Sequence, residues 1–222
     1  MKKILQTLLL PPLHLIKYFL TVLKEHSLPS KKVLTVNKIS KKAYDMYVEE
    51  EELKSFNHFK KYFHNSVFFD NVDLQRGYSI SKAIENDKNQ KYYYLEFGVF
   101  KGNSINFFSK FLKTKIYGFD SFLGLREDWK SGYLNHPSGR YNLNGIIPKL
   151  NKNVVIIQGW IQSTLSKFIQ ENKPMINFAH LDFDTYESTK FVLEKIKPHL
   201  HDNSILLFDQ FCSFPGWQYG EY

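Results

Sequence analysis

Between Gln90 and Phe208 the chain alternates five short apolar runs with segments long enough to cross back over a sheet. The runs are Tyr92 to Phe97, Lys115 to Phe119, Val154 to Gln158, Ile176 to Asp182 and Ser204 to Phe208, and all are rich in aromatic or β-branched residues. Strands joined by crossovers of this length pair in parallel, so the pattern predicts an α/β, Rossmann-like sheet with helices on both faces. Ligands of such sheets bind outside the carboxyl ends of the strands, where the strand order reverses. Residues that end these runs are therefore the first candidates for chemistry.

The remainder of the chain reads differently. Residues 43–90 are mostly helical in pattern, with Tyr44, Tyr47, Phe56, Phe59, Tyr62 and Phe63 on apolar faces and the Glu49 to Glu52 run as a solvated face. Upstream, Leu13, Ile16, Leu20 and Leu23 fall on one face of a helix, and residues 28–42 read as a basic linker. The expected organisation is a basic, leucine-rich extension at 1–42 followed by one domain at 43–222, with a helical lead-in (43–90) and a sheet core (91–222).

Charge narrows the partners. The formal net charge is +8, and residues 1–42 carry all of that excess, nine lysines against Glu25 alone. The domain itself is formally neutral, without the basic face expected of a nucleic-acid reader. The extension is instead expected to pack against the main domain or a second subunit, or to meet an anionic membrane surface. Gln6, Pro11, Pro12, His14 and Lys17 interrupt its apolar run, which rules out a spanning helix, and no small-residue cleavage site follows the Pro-Pro pair. With Cys212 as the single cysteine there is no internal disulfide, and a cytoplasmic location, peripheral at the membrane, is the expectation.

The first run closes with Glu96-Phe97-Gly98-Val99-Phe100-Lys101-Gly102, and Asn103-Ser104 opens the next helix. A glycine at Gly98 lets a ligand lie against the turn, and a helix start can hold a carboxylate. A dinucleotide fingerprint needs G-x-G-x-x-G, and Phe100 occupies its second glycine position, so NAD is disfavoured. The second run leads to Asp120, twenty-two residues past Gly98, where a carboxylate suits vicinal ribose hydroxyls; a helix cap or turn role is the plain alternative. Asp182 and Asp209 end neighbouring runs, so they converge as a base or as oxygen ligands for a cation, whereas Asp184 reads as a cap of the following helix.

These segments resemble the macrocin O-methyltransferase family of class I S-adenosylmethionine-dependent enzymes. The resemblance runs from Tyr94 to Glu221 through LEFGVFKGNSI, YGFDSFLGLREDW, IIQGWIQSTL, HLDFDTYESTKFVLEKI and ILLFDQFCSFPGW. It implies that Glu96, Gly98 and Gly102, with Phe97, Asn103 and Ser104 beside them, surround the methionine part of S-adenosylmethionine. Asp120, Ser121 and Phe122 would hold the ribose, and Gln158, Gly159 and Trp160 would flank the adenine. The family's magnesium ligands fall on Asp182, Asp209 and Gln210. Gln210 offers an amide oxygen in place of a carboxylate, which puts metal dependence in question, and Ser163 stands where similar sequences often carry an acid near the adenine.

The implied activity is methyl transfer to a hydroxyl of a sugar or other small molecule, with Asp182 drawing off the proton and His136 as the other candidate base. Acceptor contacts are expected from Trp129 to Leu150, including Arg140 and Tyr141, and from Phe214 to Trp217. The sequence given ends just past the fifth run, before the helix and two strands that usually complete the fold. It therefore reads as a fragment or as a trimmed sheet, and a non-catalytic cofactor-binding scaffold is the competing reading.

Overall fold

The computed structural model describes residues 38–130 and 135–222. The helical face at 13–24 and the first part of the basic linker, 28–37, lie outside the described residues. The described chain opens with two helices, α1 (Lys38–Phe63) and α2 (Val72–Asn86). The side chain of Asn71 accepts from the Leu74 backbone N–H at 2.9 Å and so starts α2. Each of the five apolar runs then forms a strand: β1 (Tyr93–Phe97), β2 (Ile116–Asp120), β5 (Val154–Gln158), β6 (Ile176–Leu181) and β7 (Leu200–Phe208). A two-residue antiparallel pair, β3 (Trp129–Lys130) and β4 (Asn135–His136), interrupts the connection after β2.

The main sheet is wholly parallel, in the order β5-β2-β1-β6-β7. Its order reverses between β1 and β6, the place where ligands bind in such sheets. Alternation along β1 gives each face its own core. Leu95 and Phe97 face α4 (Ile161–Asn172) and α5 (Tyr186–Ile196), packing with Phe119, Leu165, Phe168 and Val192. Tyr94 and Glu96 face the opposite way, beneath α2 and α3 (Asn103–Ser109), where Phe108, Phe178 and Ile80 are fully buried. Burying several such rings, at about 1.5–3 kcal/mol each, is the main force holding the layers together.

Helix α1 exposes Glu49, Glu50 and Glu52 as the sequence suggests, but turns Glu51 inward. Glu51 is buried and accepts from Lys54 Nζ at 2.8 Å and from Gln218 Nε2 at 3.2 Å. Ser55 Oγ accepts from the Ser213 N–H, and Phe59 packs against Phe211, Trp217 and Tyr222. This helix therefore anchors the chain after β7. Among the described residues no helix is long and apolar enough to cross a membrane.

Candidate active site

A cleft of about 270 Å³ opens at the carboxyl ends of the strands. Asp120 and Ser121 wall it on the β2 side, Gly159 and Trp160 after β5, Asp182 after β6, and Asp209 after β7. These strand ends meet because of the register: Phe97 pairs with both Phe119 and Leu181, and Leu181 pairs with Phe208. Residues one step further along each strand then face a common space.

The glycines shape this space in an unexpected way. Gly98 adopts φ +88 and borders the cleft, but a Cβ there would overlap the carbonyl oxygen of Asp182. Its bareness admits the neighbouring strand end first of all. The Gly98 N–H donates to Phe119 O at 3.0 Å and the Asp182 N–H to Phe97 O at 2.9 Å, so this contact fixes three strand ends. At Gly102, with φ +79, a Cβ would meet the Leu150 side chain, away from the cleft.

Asp120 is equally occupied. Its Oδ2 accepts from the N–H groups of Val99 and Phe100 at 2.8 and 2.7 Å, and its Oδ1 from that of Phe122 at 2.6 Å. Asp120 thus secures the turn after β1, and it also lines the cleft. An ionised carboxylate has about four acceptor positions, so three backbone donors leave room for a further hydroxyl.

Three acids, Asp182, Asp184 and Asp209, line the opposite wall, and Glu221 is buried against the Gln210 backbone. Burial and then the negative charge of Asp209 raise Asp182 well above the usual carboxylate range. The same two causes push Asp184 up to about 7. Glu221, buried, also sits at about 7, chiefly through burial, although its Oε2 accepts from the Gln210 N–H at 3.0 Å. Burial opposes ionisation of Asp209 too, yet the His180 ring, 3.8 Å away, followed by Arg76, holds it low. Arg76 Nη2 donates to Asp209 Oδ1 at 2.8 Å.

Beneath this wall lies a pair that sequence reasoning did not single out. His180 is fully buried, with Nδ1 3.3 Å from Glu96 Oε2 and Nε2 3.8 Å from Asp209 Oδ1. Burial alone would favour the neutral ring, but Asp209 and then Glu96 outweigh it and push His180 to about 9. Glu96 also accepts from Ser104 Oγ at 2.8 Å. The ligand-type atoms of His180, Asp182 and Asp209 all lie within 4.8 Å of one another.

The structure thus sorts the residues singled out in the sequence. Gly98, Asp120, Ser121, Gly159, Trp160, Asp182, Asp209 and Gln210 come together in the cleft. Glu96, Phe97, Ser104 and Phe122 are buried behind it, Asn103 is exposed, and Gln158 turns away to donate to Gly145 O at 2.8 Å. His136 is also outside the cleft, stacked on Trp129 with ring centroids 4.8 Å apart, and burial followed by the Arg140 charge lowers its basicity. Asp184 is not the helix cap expected of it. The cap of α5 is Thr185, and Asp184, at φ +62, is buried and lines the cleft. Gln162, Phe100 and Tyr141 also line the cleft without having been singled out as cofactor contacts; aromatic turn residues such as Phe100 and Tyr141 carry no charge pattern that would reveal them, and Gln162 sits in the first turn of α4.

Comparison with known proteins agrees with this architecture. The chain is similar to the crystal structure of CalS11, a calicheamicin methyltransferase, at 24% identity, covering 77% of this chain and 81% of that one with a TM-score of 0.52. It is also similar to the apo structure of CalS11, described as a TDP-rhamnose 3'-O-methyltransferase, at 22% identity, 76% and 82% coverage and a TM-score of 0.46. The O-methyltransferase NovP aligns at 19% identity over 66% of this chain and 67% of its own, with a TM-score of 0.47. No curated protein matches. The methyltransferase-domain family model matches residues 95–211, more than half of the sequence and every strand of the cleft, and the chain is a member of that family.

Proposed function

We propose that this chain transfers a methyl group from S-adenosylmethionine to a hydroxyl of a sugar or other small-molecule acceptor. The observation that carries this reading is the joining of Asp120 and Asp182 across one cleft at the reversal point of a parallel sheet. Family membership supports the cofactor, and resemblance of five motifs to macrocin O-methyltransferases supports the acceptor class.

The cleft suits the cofactor in its polar groups and its rings. Asp120 retains acceptor capacity for a ribose hydroxyl. The Oε1 of Gln162 is buried without a partner, and Gln162 lines the cleft together with Trp160, a pairing that suits the amino group and flat ring of an adenine. When bound, S-adenosylmethionine supplies an electrophilic methyl carbon on a positively charged sulfur. Asp182 then has two roles open to a carboxylate of raised basicity: it accepts the hydroxyl proton and orients the attacking oxygen. His136, packed under Trp129, is not part of this mechanism.

A divalent cation also fits the acidic wall. Asp182 and Asp209 would hold it, with Gln210 as an adjacent oxygen donor, and it would acidify the acceptor hydroxyl. Repulsion between Asp182 and Asp209 is what a cation relieves, while the Arg76 contact already satisfies part of Asp209, so binding is weak.

Calorimetric titration of the full chain with S-adenosylhomocysteine tests the cofactor, and a methyl-transfer assay on candidate glycosides tests turnover. Asp182→Asn is expected to slow transfer by about 10²- to 10⁴-fold with product-cofactor affinity nearly unchanged. Absence of S-adenosylhomocysteine binding would overturn the proposal, and binding without any turnover would reduce it to a cofactor-binding scaffold.

A further inference from the structure

Helix α2 turns Arg76, Ile80 and Ala83 to one side, at spacings of four and three, and Ile80 and Ala83 on that side are fully buried. An arginine on a buried stripe is costly unless it meets a negative partner. Arg76 finds one 133 residues later: its Nη2 donates to Asp209 Oδ1 at 2.8 Å, with side-chain exposures of 16% and 21%. The helix is tied down at its far end as well. Asn86 Nδ2 donates to Asn203 O at 2.7 Å and Asn177 Nδ2 donates to Ala83 O at 2.7 Å, so α2 lies along β6 and β7 and delivers Arg76 to the carboxyl end of β7. Arg76 Nε is buried without a partner, and a guanidinium that leaves a donor unsatisfied gains little stability from its pairing. From the other side Glu221 accepts from the Gln210 N–H at 3.0 Å, which fixes the backbone just after Asp209. Arg76 and Glu221 both lie outside residues 95–211, so the helical lead-in and the tail together hold a strand end that belongs to the family domain.

We propose that Arg76 is the positioning residue of Asp209 and the resident cation of the acidic wall: its guanidinium holds the carboxylate oxygen that a divalent ion would otherwise draw toward Asp182. The proposal rests on the methyl-transfer reading only in taking Asp182 and Asp209 as the wall that would hold the ion. Their ligand-type atoms lie within 4.8 Å of each other, close enough to share one. Arg76 Nη2 at 2.8 Å and His180 Nε2 at 3.8 Å both meet Asp209 at Oδ1. A guanidinium differs from a metal ion in being tethered, so it needs no free ion and no chelator removes it. It also keeps one charge in a fixed plane, which orients Asp209 and leaves Asp182 facing the cleft. A divalent ion entering beside this fixed cation is repelled by it and must displace a charge-assisted hydrogen bond. Gln210, with its neutral amide, adds no charge to offset that repulsion. Arg76 thereby sets the ion affinity of the site.

The test titrates the full chain with Mn²⁺, reads the bound ion by EPR, and checks by circular dichroism melts that each variant folds. Arg76→Gln should bind Mn²⁺ about tenfold or more tighter than the parent, and Arg76→Lys should fall between them, because lysine keeps the charge but lacks the planar fork. Adding Asp182→Asn to Arg76→Gln should abolish the gain, which locates the ion on the acidic wall. A packing role for Arg76 would leave Mn²⁺ affinity unchanged or lower it. Affinity in Arg76→Gln equal to or below the parent's, or a gain that survives Asp182→Asn, would overturn the proposal. Should Arg76→Gln not fold, Arg76→Lys decides alone, and affinity no higher than the parent's there has the same force. Failure of the parent chain to bind S-adenosylhomocysteine would instead sink the methyl-transfer reading, and it leaves the Mn²⁺ comparison standing.

Discussion

Replacing Gly98 by alanine should cost the protein far more stability than the same change at Gly139, although both glycines have positive φ, +88 and +82. An L-residue in the left-handed region costs about 1–2 kcal/mol, and both variants bear that cost. Only at Gly98 does the added Cβ run into a main-chain atom, the Asp182 carbonyl oxygen, while at Gly139 nothing lies within 4 Å. Backbone cannot rotate away as a side chain does. Relief requires β1 and β6 to part where the Asp182 N–H to Phe97 O bond of 2.9 Å joins them, and overpacking of this sort costs about 1–3 kcal/mol more. The expected losses are therefore about 2–5 kcal/mol for Gly98→Ala and about 1–2 kcal/mol for Gly139→Ala, read from urea denaturation midpoints at constant m. Asp182 moves with the strand, so Gly98→Ala should also impair methyl transfer in whatever fraction stays folded. Equal denaturation midpoints for the two variants would refute the steric account of Gly98.

Asp120→Ala should weaken S-adenosylhomocysteine binding and also destabilise the protein by about 2–4 kcal/mol, because three backbone N–H groups lose their acceptor; a variant as stable as the parent would show those bonds to be idle. Stability should fall between pH 5 and pH 9 in thermal melts. His180 at about 9 contributes stability that is complete below its ordinary value near 6.5 and lost as pH climbs through 9, and Asp184 and Glu221 at about 7 lose theirs as pH rises from about 4 through 7. A melting temperature that rises across that range would contradict the buried network. In Gln210→Asp an added carboxylate joins Asp209 and Glu221, so the metal-free variant should melt lower than the parent and recover in millimolar magnesium, a response whose absence would remove the cation from the site. Removing residues 1–37 should leave S-adenosylhomocysteine affinity within about twofold while reducing co-sedimentation with anionic vesicles or self-association, since most of the excess lysines lie there; unchanged behaviour in both assays would exclude either role for the extension.

The sheet was legible because parallel strands buried on both faces need continuous apolar runs, and such runs stand out between crossovers. All five strands form where the runs lie, and β7 only starts earlier, at Leu200 instead of Ser204. Carboxylates that end strands were legible for the same reason: Asp120, Asp182 and Asp209 are fixed by register once the strands are placed. Glycine position was legible and glycine purpose was not, because the atom excluded at Gly98 belongs to a strand 84 residues away in the chain. His136 and Asp184 exchanged places for a related reason. The reach of a loop residue depends on where its loop folds back, and β3 and β4 turn the histidine inward against Trp129 while φ +62 turns the aspartate into the cleft.

The Glu96 and His180 pair carries the clearest lesson about charge. Along one strand each residue looks like a polar interruption of an apolar run, and the family resemblance places the glutamate beside the methionine part of the cofactor without revealing its partner in the core. Paired across β1 and β6, they face the same side of the sheet under α3, and the register sets Glu96 directly beside His180. An isolated buried carboxylate would cost several kcal/mol, and the imidazolium, the Ser104 hydroxyl and the Arg76 contact to Asp209 offset that cost as a chain of partners. The chain ends at Asp209, on the cleft. Hence the charge that holds Asp209 ionised comes from His180 and Arg76, whereas burial and the charge of Asp209 outweigh His180 at Asp182 and keep it protonated to higher pH. Two carboxylates at equivalent strand ends are thereby driven to opposite proton affinities, an asymmetry that suits one acid to accept a proton while its neighbour stays charged. His180→Leu should collapse that difference: it leaves Glu96 and Asp209 without their shared partner, costs about 3–5 kcal/mol of stability, and brings the proton affinities of Asp182 and Asp209 together in carboxyl NMR titrations. Titration curves for the two aspartates that remain as far apart in the variant as in the parent would show that the asymmetry arises from local burial alone.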